Sequence, residues 1–152
     1  MNAKPESKDL IGLLARLALG GLFVYSGAIK ALAPAEEFAY AIESYSVLGA
    51  QLSLYAAYVT PWVELWAGLL LAAGVFTRAS ALFIGAMLGF FELLLGQAWL
   101  RGLPITSCGC FGSSGSNSIG VEFAQNLVFL ALAWAAWKFP SRWSADAVVE
   151  ER

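Results

Sequence analysis

The sequence predicts an all-α, polytopic membrane bundle of four helices, and three observations carry that reading. Hydrophobic residues make up 59% of the 152 residues, and the mean hydropathy is +0.68. Charged residues fall to 13%, against about 25% in soluble domains. Four apolar stretches are each long enough to cross a hydrocarbon layer of about 30 Å, and four such spans use most of the chain. Residues 1–152 therefore read as one integral membrane domain.

The spans fall at about 10–28, 52–76, 79–100 and 121–139, each rich in Ala, Leu and Gly. The first resembles a signal peptide, with Ala31-Leu32-Ala33 as a cleavage-like site, but its apolar run is long, contains Arg16 and is followed directly by Pro34. It reads as a retained helix. The first outer connection carries a helix signature over about 34–48. Pro34 stands at its start, Glu36 and Glu37 in its first turn, Phe38, Ile42 and Tyr45 on one face, and Gly49 as a stop. Such a segment is expected to lie as a short amphipathic helix in the membrane interface. The remaining outer connection, 101–120, is the longest polar gap between apolar runs.

Lys4, Lys8, Arg78, Lys138, Arg142 and Arg152 fall on the side of the termini, whereas Lys30 and Arg101 fall on the other. The positive-inside rule then puts both termini in the cytoplasm and the 101–120 loop outside an inner (cytoplasmic) membrane, in an oxidising compartment. A net charge of -2 without a basic cluster gives no footprint for nucleic acid. The absence of histidine removes histidine-ligated haem, histidine-containing zinc sites and Ser/His/Asp catalysis.

Helix periodicity selects the buried faces. Gly85, Gly89, Glu92 and Gly96 form one stripe of the third span, Glu64, Gly68 and Ala72 one of the second, and Arg16, Gly20, Phe23 and Gly27 one of the first. Small residues mark close helix approach, so Arg16, Glu64 and Glu92 are expected to face a shared interior. By depth, Arg16 is expected to pair with Glu64. Glu92 lies about 10–12 Å below the outer end of its span, level with a polar opening of the fourth span formed by Glu122, Gln125 and Asn126.

The two cysteines of the chain, Cys108 and Cys110, stand in Thr106-Ser107-Cys108-Gly109-Cys110-Phe111-Gly112. Thiols two residues apart can close a disulfide, hold a linear soft ion such as Cu(I), or pass electrons to a partner disulfide. An extended backbone would leave their α-carbons at the upper edge of disulfide geometry, so closure needs a turn that Gly109 eases. A disulfide ring that short is strained, which favours exchange over an inert staple. A thiolate here can be stabilised by loop N–H groups or by Arg101. Glu92 is the candidate proton carrier, with a packing lock as the alternative. Trp62, Trp66, Trp99, Trp134, Trp137 and Trp143 read as interfacial belts and core, a quinone cage being the other reading.

Arg16 with Gly20 and Gly21, Ser26-Gly27, Lys30, Pro61-Trp62, Glu64, Gly68, Gly74, Arg78 and Cys108-Gly109-Cys110-Phe111-Gly112 together resemble the MauE/DoxX superfamily of small four-helix membrane proteins, in its MauE-like branch. The resemblance spans roughly residues 10–140. It implies an association with redox or disulfide maturation, of the kind attributed to MauE for the disulfide-rich small subunit of methylamine dehydrogenase. DoxX relatives occur with thiosulfate-to-quinone electron transfer.

The resulting expectation is a membrane thiol/disulfide redox protein. Its Cys108/Cys110 pair would exchange electrons with an extracytoplasmic thioredoxin-like or disulfide-containing protein, with a quinone as an onward carrier. The alternatives are a Cu(I)/Hg(II) binding or transport protein using the same two thiols as ligands, and a non-catalytic membrane subunit of a redox complex.

Overall fold

The computed structural model describes residues 7–103, 118–139 and 144–146. Among these the chain runs through α1 (Ser7–Leu32), α2 (Ala35–Ser44), α3 (Ala50–Ala73), α4 (Thr77–Leu100) and α5 (Ile119–Lys138). All but α2 are long and apolar enough to cross a membrane. The large exposed side chains, among them Leu14, Tyr25, Trp62, Trp66, Phe90, Leu93 and Trp134, form an apolar outer surface, as lipid-facing helices require.

Several boundaries differ from the expected ones for local reasons. Helix α1 continues past residue 28 through Lys30, because Lys30 is buried rather than solvated. Helix α2 is shorter than 34–48, since the Ser44 hydroxyl donates to the Ala41 carbonyl at 2.6 Å and Ser46 turns the chain at φ 55°. Helix α3 ends three residues before 76. Gly74 takes φ 74°, its N–H bonds to the Leu71 carbonyl, and Val75 N–H reaches back to Leu70. That is a Schellman closure, which favours glycine at the left-handed position.

Packing is uneven. Helices α1 and α3 form the most intimate pair, α4 and α5 the second, and α1 joins the two through α5. A Cβ on Gly27 would stand 2.6 Å from the Pro61 carbonyl oxygen, and one on Gly68 would stand 2.8 Å from both the Gly20 oxygen and the Val24 nitrogen. The α1 and α3 backbones are therefore in direct contact, the means by which helices associate where lipid removes most of the hydrophobic drive. The α4 stripe does not repeat this. A Cβ on Gly85 would lie 3.7 Å from Ala133 Cβ, one on Gly96 3.9 Å from Phe123, and one on Gly89 would meet nothing within 4 Å.

The central core joins Leu19 and Phe23 of α1, Leu71 of α3, Ala81, Ile84 and Leu88 of α4, and Ala133 and Ala136 of α5. Nearer the end where α4 stops and α5 begins, Tyr45 packs with Leu95, Ala98, Leu103, Ile119 and Phe123. Helix α2 leans on α3 through Phe38, Ala39 and Ala57. Helices α3 and α4 touch sparsely, and an apolar cleft of about 650 Å³ opens between them, lined by residues including Tyr58, Trp62, Trp66, Leu70, Phe76 and Phe83.

Candidate functional site

Asn126 is the centre of a polar site between α4 and α5. Its side-chain Nδ2 donates to Glu92 Oε2 at 2.6 Å and to the Leu88 carbonyl at 3.0 Å. Both amide hydrogens are thus used, which fixes the Asn126 rotamer and holds one oxygen of the Glu92 carboxyl. The other, Oε1, is buried without a hydrogen-bond partner. A polar atom buried without a partner carries a desolvation cost. Glu122 is buried one helical turn nearer the start of α5, whereas Gln125 is only half-buried. The structure therefore brings Glu92 and Asn126 together and sets Glu122 above Asn126 on the same face.

Cys108 and Cys110 lie outside the described residues, as do the loop N–H groups considered for thiolate stabilisation. The anchors of that loop are described. Helix α4 ends at Leu100 and α5 begins at Ile119, and Arg101 donates to Gln97 Oε1 at 3.0 Å. Gln97 in turn donates to the Tyr45 carbonyl at 2.9 Å, tying the chain after α2 to the C-terminal end of α4. Glu92 lies eight residues before Leu100 and Asn126 seven after Ile119, so the Glu92/Asn126 pair sits about 10–12 Å inward of both anchors.

The expected Arg16–Glu64 pair does not form. Glu64 is held by Lys30, whose Nζ lies 2.7 Å from Oε1 and 2.9 Å from Oε2, and by the Ser26 hydroxyl at 3.0 Å from Oε2. The Phe38 ring of α2 covers the ammonium, with its centroid 4.8 Å from Nζ. Antiparallel register explains the difference. Gly27 packs at Pro61 and Leu65, and Gly20 at Gly68 and Ala72, which brings Arg16 level with Gly74, ten residues or about 15 Å from Glu64. Arg16, Glu64 and Glu92 thus occupy three separate places rather than one shared interior. The signal for Lys30 was in the α1 stripe, because 16, 20, 23 and 27 continue to 30 at the same spacing.

Arg16 belongs to a junction at the other end of the bundle. Its guanidinium and Ser144 both pack on Gly74, while Asp146 N–H donates to the Gly74 carbonyl at 3.1 Å. The Asp146 carboxylate accepts from Phe76 N–H at 2.8 Å and Thr77 N–H at 2.7 Å, capping α4 from outside that helix. Burial alone would raise the Asp146 carboxyl. The N–H groups of Thr77 and Phe76 and the charge of Arg16 outweigh it, so its pKa lies below the ordinary carboxylate value. Phe76 is left-handed, with φ 48° and ψ 45°, a conformation that costs a non-glycine residue roughly 1–2 kcal/mol and that the Asp146 hydrogen bonds offset.

Four apolar crossing helices, a buried ion pair near one end and a part-buried carboxyl–amide pair between α4 and α5 define a small multi-pass membrane protein. The family model described as "Methylamine utilisation protein MauE" matches residues 8–139, and the chain belongs to that family. No curated protein and no solved structure matches it.

Proposed function

We propose that this membrane protein of the methylamine utilisation type carries out thiol/disulfide exchange. In this reading Cys108 and Cys110 trade two electrons and two protons with a disulfide-containing extracytoplasmic protein, as in maturation of a periplasmic enzyme. Attack of one thiolate on the partner disulfide forms a mixed disulfide and releases one partner thiolate. Attack by the second cysteine closes the Cys108–Cys110 bond and releases the other. The reverse sequence oxidises the partner. Both termini are then cytoplasmic and the chain resides in the inner membrane, as the basic residues of the terminal side indicate.

The observation that supports this most directly is the Glu92–Asn126 pair. It sets a half-buried carboxyl, one of whose oxygens is buried without a partner, inward of the two helix ends from which the cysteine loop departs. Each thiolate formed or consumed needs a proton acceptor or donor, and a carboxyl with one oxygen outside any hydrogen bond can serve that exchange.

The test is a trapping experiment. Cys108→Ser and Cys110→Ser are expressed in cells, and reductant-sensitive adducts with extracytoplasmic proteins are sought. One variant should accumulate an adduct and the other little, and an impermeant thiol reagent should label the reduced pair from outside. Full activity in both variants would overturn the dithiol mechanism. Stoichiometric Cu(I) or Hg(II) capture without any adduct would transfer these thiols to metal handling.

A further inference from the structure

The end of the bundle opposite the cysteine loop holds a second concave site. A cavity of about 340 Å³ is lined by Arg78 of the first turn of α4 and by Trp134, Trp137 and Lys138 of the last turns of α5. Its size is at the small end of the roughly 300–1,000 Å³ range of ligand pockets. Lys138 is held over the Trp134 ring, with Nζ 4.4 Å from the centroid, and lies 5.9 Å from that of Phe139. Among the described residues neither Arg78 nor Lys138 pairs with a carboxylate. Asp146, a described acid beside the α4 start, is already engaged by the Phe76 and Thr77 N–H groups.

Two cations on one small hollow, with no carboxylate paired to either among the described residues, repel each other, and an anion between them relieves that repulsion. The walls restrict which anion. Two tryptophans at the end of a crossing helix are amphipathic surfaces of the kind that sit at lipid headgroup level, and they offer apolar faces beside the charges. Arg presents a planar fork that binds phosphate oxygens in pairs, and Lys adds a point charge. Basic pockets between crossing helices take anionic headgroups by this chemistry.

We propose that Arg78, Lys138, Trp134 and Trp137 form a binding site for a phosphate group, occupied by the headgroup of an anionic phospholipid. Arg78 and Lys138 hold the phosphate oxygens, and the tryptophan faces carry the glycerol and the first methylenes. The hollow is too small for a whole lipid, so the acyl chains run outward along α4 and α5. The site is independent of the cysteine chemistry. It fastens the α4 start to the α5 end, near the turn that Asp146 caps.

The test uses the purified full chain in neutral detergent, titrated separately with phosphatidylglycerol, phosphatidylcholine and inorganic phosphate. Bound lipid is read by native mass spectrometry, and thermal stability is measured in parallel. Wild type should retain phosphatidylglycerol saturably and gain stability from it. The Arg78→Gln/Lys138→Gln variant should bind it about tenfold or more weakly, while Lys8→Gln, which removes a cation from the same end of the bundle outside the hollow, should bind as wild type. Inorganic phosphate that stabilises wild type as well as the lipid does, and fails with the double variant, would keep the site and make a soluble phosphate its occupant. Equal phosphatidylglycerol retention by wild type and the double variant, or equal retention of phosphatidylcholine by wild type, would overturn the proposal.

Discussion

Lys30 and Glu64 face each other across the α1–α3 seam, the ammonium within 2.7 and 2.9 Å of the two carboxylate oxygens. Both side chains are almost wholly removed from solvent. In so dry a place each charge depends on the other. Lys30→Met should destabilise the protein by about 3–5 kcal/mol, because it strands the carboxylate. Lys30→Met with Glu64→Leu should recover much of that loss, since neither charge then remains. A double-mutant cycle on unfolding in detergent measures the coupling. The same cycle on Arg16→Met and Glu64→Gln should be additive, as expected for sites about 15 Å apart.

Gly68→Ala tests the backbone contact. The added methyl would stand 2.8 Å from two backbone atoms of α1, and overpacking of this kind typically costs about 1–3 kcal/mol. Gly89→Ala, with open space around it, should be neutral or gain up to about 1 kcal/mol from helix propensity. Thermal unfolding in detergent separates the two. Equal losses at both positions would mean that the α4 stripe is as tightly packed as the α1–α3 seam.

The Asn126 lock makes an asymmetric prediction. Asn126→Ala takes one donor from the Leu88 carbonyl and leaves the Glu92 carboxyl without its Asn126 donor, and should cost about 1–3 kcal/mol. Replacing Asn126 and Glu92 together by leucine should cost far less, because no buried polar partner is left behind. Glu92→Gln should keep stability near wild type and slow any thiol turnover that draws protons through it. Unfolding curves and a trapping assay on the same variants read the two effects separately.

Asp146 predicts acid behaviour. Its folded pKa lies below the ordinary value of 3.8, so the unfolded chain takes up the proton first as pH falls. The stability that Asp146 contributes is therefore fully present above about 3.8 and is lost as pH drops through the lower folded value. Asp146→Asn should remove this component, at a cost of about 1 kcal/mol at neutral pH, typical of a lost helix cap. Unfolding of wild type and variant should converge in acid below that window.

What could be read from the chain follows from the range of each interaction. The crossing helices and the proximity of Glu92 to Asn126 depend on apolar length and on the 3.6-residue period, which are local. The partner of Glu64 depends on the register between two helices, and counting inward from approximate ends mistook it. The unbroken apolar run of the first span stops at 28 and makes Lys30 look like a loop charge, although Lys30 continues the Arg16-Gly20-Phe23-Gly27 stripe. The stripe on α4 had the right residues for close packing but faces a looser seam, because glycine permits approach without enforcing it. The Asp146 cap joins residues about seventy apart, and no local pattern marks it.

The Lys30–Glu64 bond has a consequence for how the protein is made. The two residues are 34 positions apart, so at roughly 5–20 residues per second the first span waits several seconds for its counter-charge to leave the ribosome. During that interval α1 carries Arg16 and Lys30 with the Glu64 carboxylate still unmade. The charge on Lys30 is met only once α3 lies beside α1, with the glycine faces touching and the pair closed.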